Sequence, residues 1–196
     1  MEAKLFDDDV AHVSTFAFHE HRERAPHLEQ YVHRGRLDAA ASAVLRACVG
    51  VSGVPFVVDL GCGDGGLLSL LPEHITAVGY DFQPTNTAGW AERVVVAHAS
   101  NFVERWDDEI PQADVYVMTE VLEHLTDPHE MVRRVRRRNA QLVASSPWTE
   151  TYESHDECHA WAWDMEGYAA MIRTSGFKIV EHTTTGMFQI VWARPA

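Results

Sequence analysis

The chain is short of cysteine, short of basic residues and without a long apolar run. Its three cysteines (Cys48, Cys62, Cys158) are odd in number and widely spaced. That excludes a disulfide framework and fits reduced thiols in a cytoplasmic protein. Sixteen Lys+Arg stand against 29 Asp+Glu, a formal net charge of −13. A chain this acidic repels phosphate backbones, which disfavours general nucleic-acid binding. No stretch reaches the roughly 18 apolar residues of a membrane span. The first 20 residues hold three consecutive aspartates and no secretory signal. There is no internal repeat and no low-complexity linker.

What remains is a globular composition, 46% hydrophobic and 23% charged over 196 residues. It predicts one domain over 1–196, with residues 1–50 as an N-terminal helical lid. Residues 1–25 lack a clear period and read as a loose lead-in or short helix. A helix is expected over 26–48, where Ala41, Val44, Leu45 and Cys48 repeat at helical spacing. Beyond Gly50 and Pro55, short apolar runs alternate with helical stretches. Strands are expected at 56–58, 75–80, 94–97, 115–118, 142–144, 177–184 and 187–192. Helices are expected over 67–71, from Pro84, from an Asp127 cap and over 164–175. Strand–helix alternation implies an α/β fold, a seven-strand mostly parallel sheet with helices on both faces. The last two strands are joined too tightly for a crossover and must pair antiparallel. Ligands in such sheets sit at the carboxyl ends of the strands.

The most informative segment is Val57-Val58-Asp59-Leu60-Gly61-Cys62-Gly63-Asp64-Gly65-Gly66. It follows a strand and opens a helix, and its glycines let the backbone turn sharply beside a ligand. Asp81, twenty residues after Gly61, ends the next strand and suits the two hydroxyls of a ribose. Asp64 at the helix N-terminus disfavours a pyrophosphate, and with it an NAD(P) oxidoreductase. It favours a ligand carrying positive charge, such as the sulfonium and ammonium of S-adenosylmethionine (SAM).

The chain resembles the class I SAM-dependent methyltransferases: DLGCGDG looks like their first motif and GYD like their second. The resemblance implies a Rossmann-like fold over residues 54–196 and SAM as cofactor. It implies that Gly61 and Gly63 follow the SAM amino-acid portion and that Asp81 holds the ribose. Asn101 and Phe102 take the adenine. Asp59, Cys62, Phe82 and Thr119 flank these positions and complete the expected cofactor shell. Cys62, between glycines, reads as small filler. Arg34 or Arg36 is a candidate for the SAM carboxylate.

After the fourth strand comes Thr119-Glu120-Val121-Leu122-Glu123-His124-Leu125. In a helical turn Glu120, Glu123 and His124 would share one face. Three readings stay open. The groups are structural; or His124, with Glu120 beside it, is a general base for an acceptor hydroxyl; or Glu120, Glu123 and His124 ligate a divalent metal that acidifies that hydroxyl. A second cluster, His155 to Asp164, holds His159 in a loop expected to cover the site. EVLEHL is similar to ubiquinone-biosynthesis O-methyltransferases. EVLEH with His159-x-Trp161-x-Trp163 is similar to small-RNA 3′-terminal 2′-O-methyltransferases, which implies His159 as fourth ligand of Mg, Mn, Fe or Zn. Trp148, Tyr152, Trp161 and Trp163 either wall the acceptor or anchor the loop. The arginine run 133–138 reads as a solvated helix face. The histidines at 12, 19, 21, 27 and 33 follow no metal-site spacing. The sequence therefore predicts SAM-dependent O-methylation of a small-molecule hydroxyl. RNA 2′-O-methylation and a non-catalytic SAM-binding regulator are the alternatives.

Overall fold

The computed structural model describes residues 1–5, 29–82 and 96–196. The expected helix from Pro84, the start of the expected helix at Pro26, and the histidines at 12, 19, 21 and 27 lie outside them. The main sheet has seven strands: β2 (Phe56–Leu60), β3 (Thr76–Asp81), β4 (Ala97–Ala99), β5 (Val115–Thr119), β6 (Gln141–Pro147), β8 (Phe177–Thr185) and β9 (Phe188–Pro195). Their order is β4-β3-β2-β5-β6-β9-β8. The first five pair in parallel, with Val58 opposite both Val78 and Tyr116. β9 runs antiparallel to β6 and β8 (Ile190 opposite Ser145 and Thr183). Gly186, at φ +55°, makes the tight turn between the last two strands. This is the mostly parallel α/β sheet with an antiparallel last strand that the sequence implies.

Side-chain alternation divides the core. Val57, Val115, Val117 and Val143 face α1 (Tyr31–Cys48) and α2 (Gly66–Leu70). Val58, Tyr116, Met118 and Leu142 face α4 (Pro128–Arg137) and α5 (Met165–Thr174). Strands buried on both faces read as continuous apolar runs, which is why they are legible in sequence. The buried face of α1 is Leu37, Ala40, Ala41, Val44, Ala47 and Cys48. Leu45, assigned to that face from spacing, is exposed, because the contact centres on Ala40, Val44 and Ala47. Asp127 accepts the Glu130 amide at 2.8 Å and Asp164 accepts that of Gly167 at 2.8 Å, capping α4 and α5. The expected third strand, 94–97, meets β4 (Ala97–Ala99) at Ala97, and its first two residues lie outside the described ones; a short helix, α3 (Trp106–Glu109), was not anticipated. Among the described residues no helix is long and apolar enough to cross a membrane.

The chain start departs from expectation. Glu2–Lys4 is a strand, β1, and Trp161–Trp163 is another, β7, in an antiparallel pair. The Met1 ammonium sits on Asp164, and Trp163 Nε1 donates to Glu2 at 2.9 Å. Trp163 is fully buried, and Trp161 Nε1 donates to the Leu125 carbonyl at 2.9 Å. These two tryptophans therefore anchor the segment.

The arginine run is a solvated face only in part: Arg133 and Arg137 are exposed, whereas Arg134, Arg136 and Arg138 are partly buried. Arg133, Arg134 and Arg137 converge on Glu130, whose carboxyl the Arg137 hydrogen bond holds down at about 2. Arg136 donates to the carbonyls of Gly176 and Ala196. Arg138 donates to the carbonyls of Trp106, Ile110 and Pro111 at 2.9, 2.6 and 2.9 Å, with its guanidinium 4.3 Å over the Trp106 ring. Truncation strands those acceptors, so Arg138→Ala should cost about 2 kcal/mol and lower Tm by about 4–8 °C. Arg137→Ala, an exposed control, should move Tm little. Equal melting curves for the two variants would reject the clamp.

Candidate active site

The glycine loop is stitched to the end of β3. The Gly61 amide donates to the Tyr80 carbonyl at 2.7 Å, and the Gly63 amide donates to Asp81 Oδ2 at 2.8 Å. Gly61 sits at φ +74°, and a Cβ there would lie 2.4 Å from Val121 Cγ2. Only glycine serves. A Cβ at Gly79 would lie 2.5 Å from Cys62 Sγ, so Cys62 fills the space that Gly79 leaves. Asp64 Oδ1 accepts the Gly66 amide at 3.0 Å, placing a carboxylate at the N-terminus of α2, as the argument against a pyrophosphate requires.

A cavity of about 910 Å³ opens over this loop, at the carboxyl ends of the parallel strands. Asp59, Gly61, Cys62, Gly63 and Asp81 line one wall. Phe82, Asn101 and Phe102 line the next. The two rings stack with centroids 5.4 Å apart, and Asn101 Oδ1 accepts the Glu104 amide at 3.3 Å. Thr119, Glu120, His124 and His159 also face the cavity. Trp148 and Tyr152, expected as a wall, do not line it; Phe188 and Met187 do. An antiparallel strand begins at the edge where its parallel neighbours end, so the start of β9 was the available signal for Phe188.

Negative charge is concentrated under the cavity. Burial, reinforced by the charge of Asp81, pushes the Asp59 carboxyl up to about 8, with Arg36 opposing. Arg36 is buried on α1, and its Nε and Nη1 have no hydrogen-bond partner. Its Nη1 lies 3.6 Å from Glu120 Oε1, and its guanidinium is 5.1 Å over the Phe188 ring. Arg34 is exposed and paired with Asp38, so of the two candidate arginines Arg36 faces the cavity.

The expected helical turn after β5 is different in kind. Glu120 takes φ +57°, outside any helix, and only Leu122–His124 forms a 3-10 turn. Glu120, Glu123 and His124 consequently do not share a face. Glu120 Oε1 accepts the Ser145 hydroxyl at 2.7 Å. Glu123 is fully buried, does not line the cavity, and neither of its carboxyl oxygens has a hydrogen-bond partner. Burial raises the pKa of Glu120, while Arg36 opposes. Burial and then the charge of Glu120 push Glu123 well up.

His124 and His159 are brought together, with ring centroids 4.7 Å apart. His124 Nδ1 donates to the Cys158 carbonyl at 3.0 Å, and His159 Nδ1 meets Glu150 Oε2 at 2.7 Å. Cys158 Sγ donates to Asp156 Oδ1 at 2.9 Å. Among the described residues, one potential ligand atom each from His124, Cys158 and His159 lies within 4.8 Å of the others. The four-ligand set expected from sequence is thus met by its two histidines; Glu120 and Glu123 fall outside the group. Cys158 and Glu150 were missed, though Cys158 adjoins His159 and Glu150 follows the carboxyl end of β6.

Residues 36–182 match the family described as "Methyltransferase domain". The chain belongs to that family. No curated protein sequence matches the chain. Its solved structural neighbours include N-methyltransferase NodS from Bradyrhizobium japonicum WM9 in complex with S-adenosylhomocysteine (SAH). That protein is 16% identical, with 92% of this chain and 96% of that one covered at a TM-score of 0.66. Magnesium protoporphyrin IX methyltransferase from Synechocystis PCC 6803, with bound SAM, is 16% identical over 89% and 86% of the chains at 0.62. The 1,6-didemethyltoxoflavin-N1-methyltransferase from Burkholderia thailandensis is 16% identical over 89% and 92% at 0.63. The methyltransferase has the class I SAM-dependent fold and is an enzyme of that class.

The raised Asp59 carboxyl has a consequence for stability. The folded protein binds one proton more than the unfolded chain between the unfolded value of 3.8 and about 8. That contribution is present below about 4 and is lost as pH rises toward 8, at up to about 1.4 kcal/mol per pH unit. Ligand-free Asp59→Asn should show a flatter decline in unfolding free energy between about pH 5 and 7.5 by denaturant titration. Parallel wild-type and variant profiles would place the proton elsewhere.

Proposed function

We propose that this methyltransferase moves the SAM methyl group to a hydroxyl of a small molecule, with His124 taking the acceptor's proton. The observation that carries the reading is the pair of oriented histidines on the cavity wall that the glycine loop shares. Gly61 and Gly63 run along the donor's amino-acid portion, Asp81 binds the ribose, and Asn101 with the Phe82–Phe102 stack takes the adenine. Asp59 faces the donor's ammonium and Arg36 its carboxylate; the Arg36 Nε and Nη1, which lack a hydrogen-bond partner, and the raised carboxyl both gain from that ligand. The acceptor oxygen forms its bond to the methyl carbon as the carbon–sulfur bond breaks, and sulfur leaves as a neutral thioether. Alignment of acceptor, methyl and sulfur supplies most of the rate enhancement. Because His124 donates through Nδ1, its lone pair is on Nε2, available for the acceptor proton.

A divalent ion fits this wall in part, through His124 and His159, and its chemistry there would be to acidify the hydroxyl. A small acceptor is favoured over RNA because the arginines that would meet phosphates are spent on Glu130 and on backbone carbonyls. Two of the structural neighbours are named for small-molecule substrates, a porphyrin and a toxoflavin precursor. Three buried cysteines, none of them in a disulfide among the described residues, accord with a cytoplasmic location.

Calorimetry with SAH should show binding that Asp81→Ala weakens by about 1.5–3 kcal/mol, roughly 10–150-fold. Transfer of labelled methyl from SAM to a panel of phenols, catechols and alcohols should fall by about 10²–10⁴ in His124→Asn, with SAH affinity kept. Transfer confined to amines, or to RNA 3′ ends, would overturn the hydroxyl assignment. Absence of SAH binding by the folded protein would overturn the cofactor assignment.

A further inference from the structure

We propose that Cys158 is a metal ligand, and that His124, Cys158 and His159 form a three-donor site for a borderline divalent ion of the zinc, cobalt(II) or iron(II) class. The sequence pattern points to two carboxylates and two imidazoles, a set that would serve Mg²⁺. The structure assembles two imidazoles and a sulfur instead, from segments 34 residues apart. The ligand chemistry changes with it. Magnesium demands oxygen ligands in octahedral array, whereas imidazole and thiolate together select zinc-like ions.

Four observations support the site. First, the donor atoms lie within 4.8 Å of one another. Metal–ligand bonds of about 2.0–2.3 Å need edges near 3.5 Å in a tetrahedral site, so closure is a matter of about 1 Å. Second, both rings are oriented through Nδ1. His159 meets the buried carboxylate of Glu150, and His124 donates to the carbonyl of Cys158 itself. A histidine whose Nδ1–H is held by a carboxylate or carbonyl presents Nε2 to a metal, and such partners fix the ring and raise its basicity. Third, Cys158 is 2% exposed, and its thiol donates to Asp156, which also accepts the Cys158 amide at 3.0 Å. Metal binding breaks the S–H bond, forms the metal–sulfur bond and releases one proton to solvent. Fourth, all three donors line the cavity over the glycine loop, so a fourth coordination position opens toward the acceptor. Three protein ligands with one open position is the pattern of catalytic rather than structural zinc. With the ion bound, the His124 lone pair is held by it, and acidification of the hydroxyl by the ion takes the place of His124 as base; this use rests on the hydroxyl-acceptor reading above, whereas binding of the ion does not require the methyl donor.

The test is Co²⁺ titration of the full-length, metal-stripped protein, followed by absorption. Wild type should develop a thiolate-to-cobalt charge-transfer band in the near ultraviolet together with visible bands of tetrahedral cobalt. Zn²⁺ should abolish both at one equivalent, and excess Mg²⁺ should leave them. Cys158→Ser should lose the charge-transfer band and bind Co²⁺ at least ten-fold more weakly, while Cys48→Ser should keep it. His159→Ala should weaken Co²⁺ at least ten-fold. SAH calorimetry run on the same samples separates the two proposals: SAH binding without a cobalt band overturns the metal site alone. A cobalt band without SAH binding supports the metal site and overturns the cofactor assignment. Cobalt bands that persist unchanged in Cys158→Ser would overturn the thiolate ligand.

Discussion

Burying negative charge where the parallel strands end is the constraint that the rest of this structure answers to. Asp59, Asp81, Glu120 and Glu123 are all held at or below the carboxyl edge of β2, β3 and β5, and three of them are 2% exposed or less. An unpaired buried carboxylate is expensive, and the chain offsets the cost in three ways. Asp81 accepts an amide of the glycine loop. Burial pushes the Asp59 carboxyl up to about 8 and raises that of Glu123, so both resist ionisation. Arg36 sends one cation from α1 into the centre of the group. One guanidinium among four carboxyls leaves room for further positive charge, which the sulfonium and ammonium of the proposed donor would supply. On that reading, acceptance of a cationic cofactor is a property of the folded edge as well as of the glycine motif.

The fold was legible because its strands are buried on both faces. Val57-Val58 and Val115 to Met118 announce themselves as apolar runs, and Pro72, Asp127 and Gly176 punctuate the helices by well-understood local chemistry. Leu45 was misplaced because spacing finds a helix's apolar positions without fixing which of them the sheet will cover. Glu2–Lys4 was illegible for a different reason. Its three residues pair with a partner some 160 positions away, and nothing local distinguishes such a strand from a loose end.

The glycine-loop wall of the cavity was legible for a related reason: its residues sit at strand ends at fixed offsets, so a parallel sheet brings them to one edge. The acceptor wall was not. Glu120 adopts a left-handed backbone that no helical projection includes, which turns Glu123 into the core. The arginine run was legible only in part. Five cations in six positions look like a solvated face, and Arg133 and Arg137 are exposed, but the run is also held by one glutamate and six carbonyls. Sequence shows the cations and not the carbonyls, which every residue carries and only tertiary structure aims.

The histidine pair depends on contacts outside the cavity. His124 belongs to the turn after β5, and His159 to the segment before β7. Their registry is set by the Ala160 amide on the Glu123 carbonyl at 2.7 Å and by Trp161 Nε1 on the Leu125 carbonyl. β7 in turn is held by β1, through three residue pairs and the Leu5 amide on the Ala160 carbonyl at 2.8 Å. The first five residues thus brace the strand that delivers Cys158 and His159 to His124. A loop on its own would leave three donors at variable distance, and a metal or a proton relay needs them fixed to within about half an ångström. The segment that local sequence makes least interpretable is coupled, by backbone pairing and by the contacts of the Met1 ammonium and the Glu2 side chain, to the geometry on which the chemistry turns.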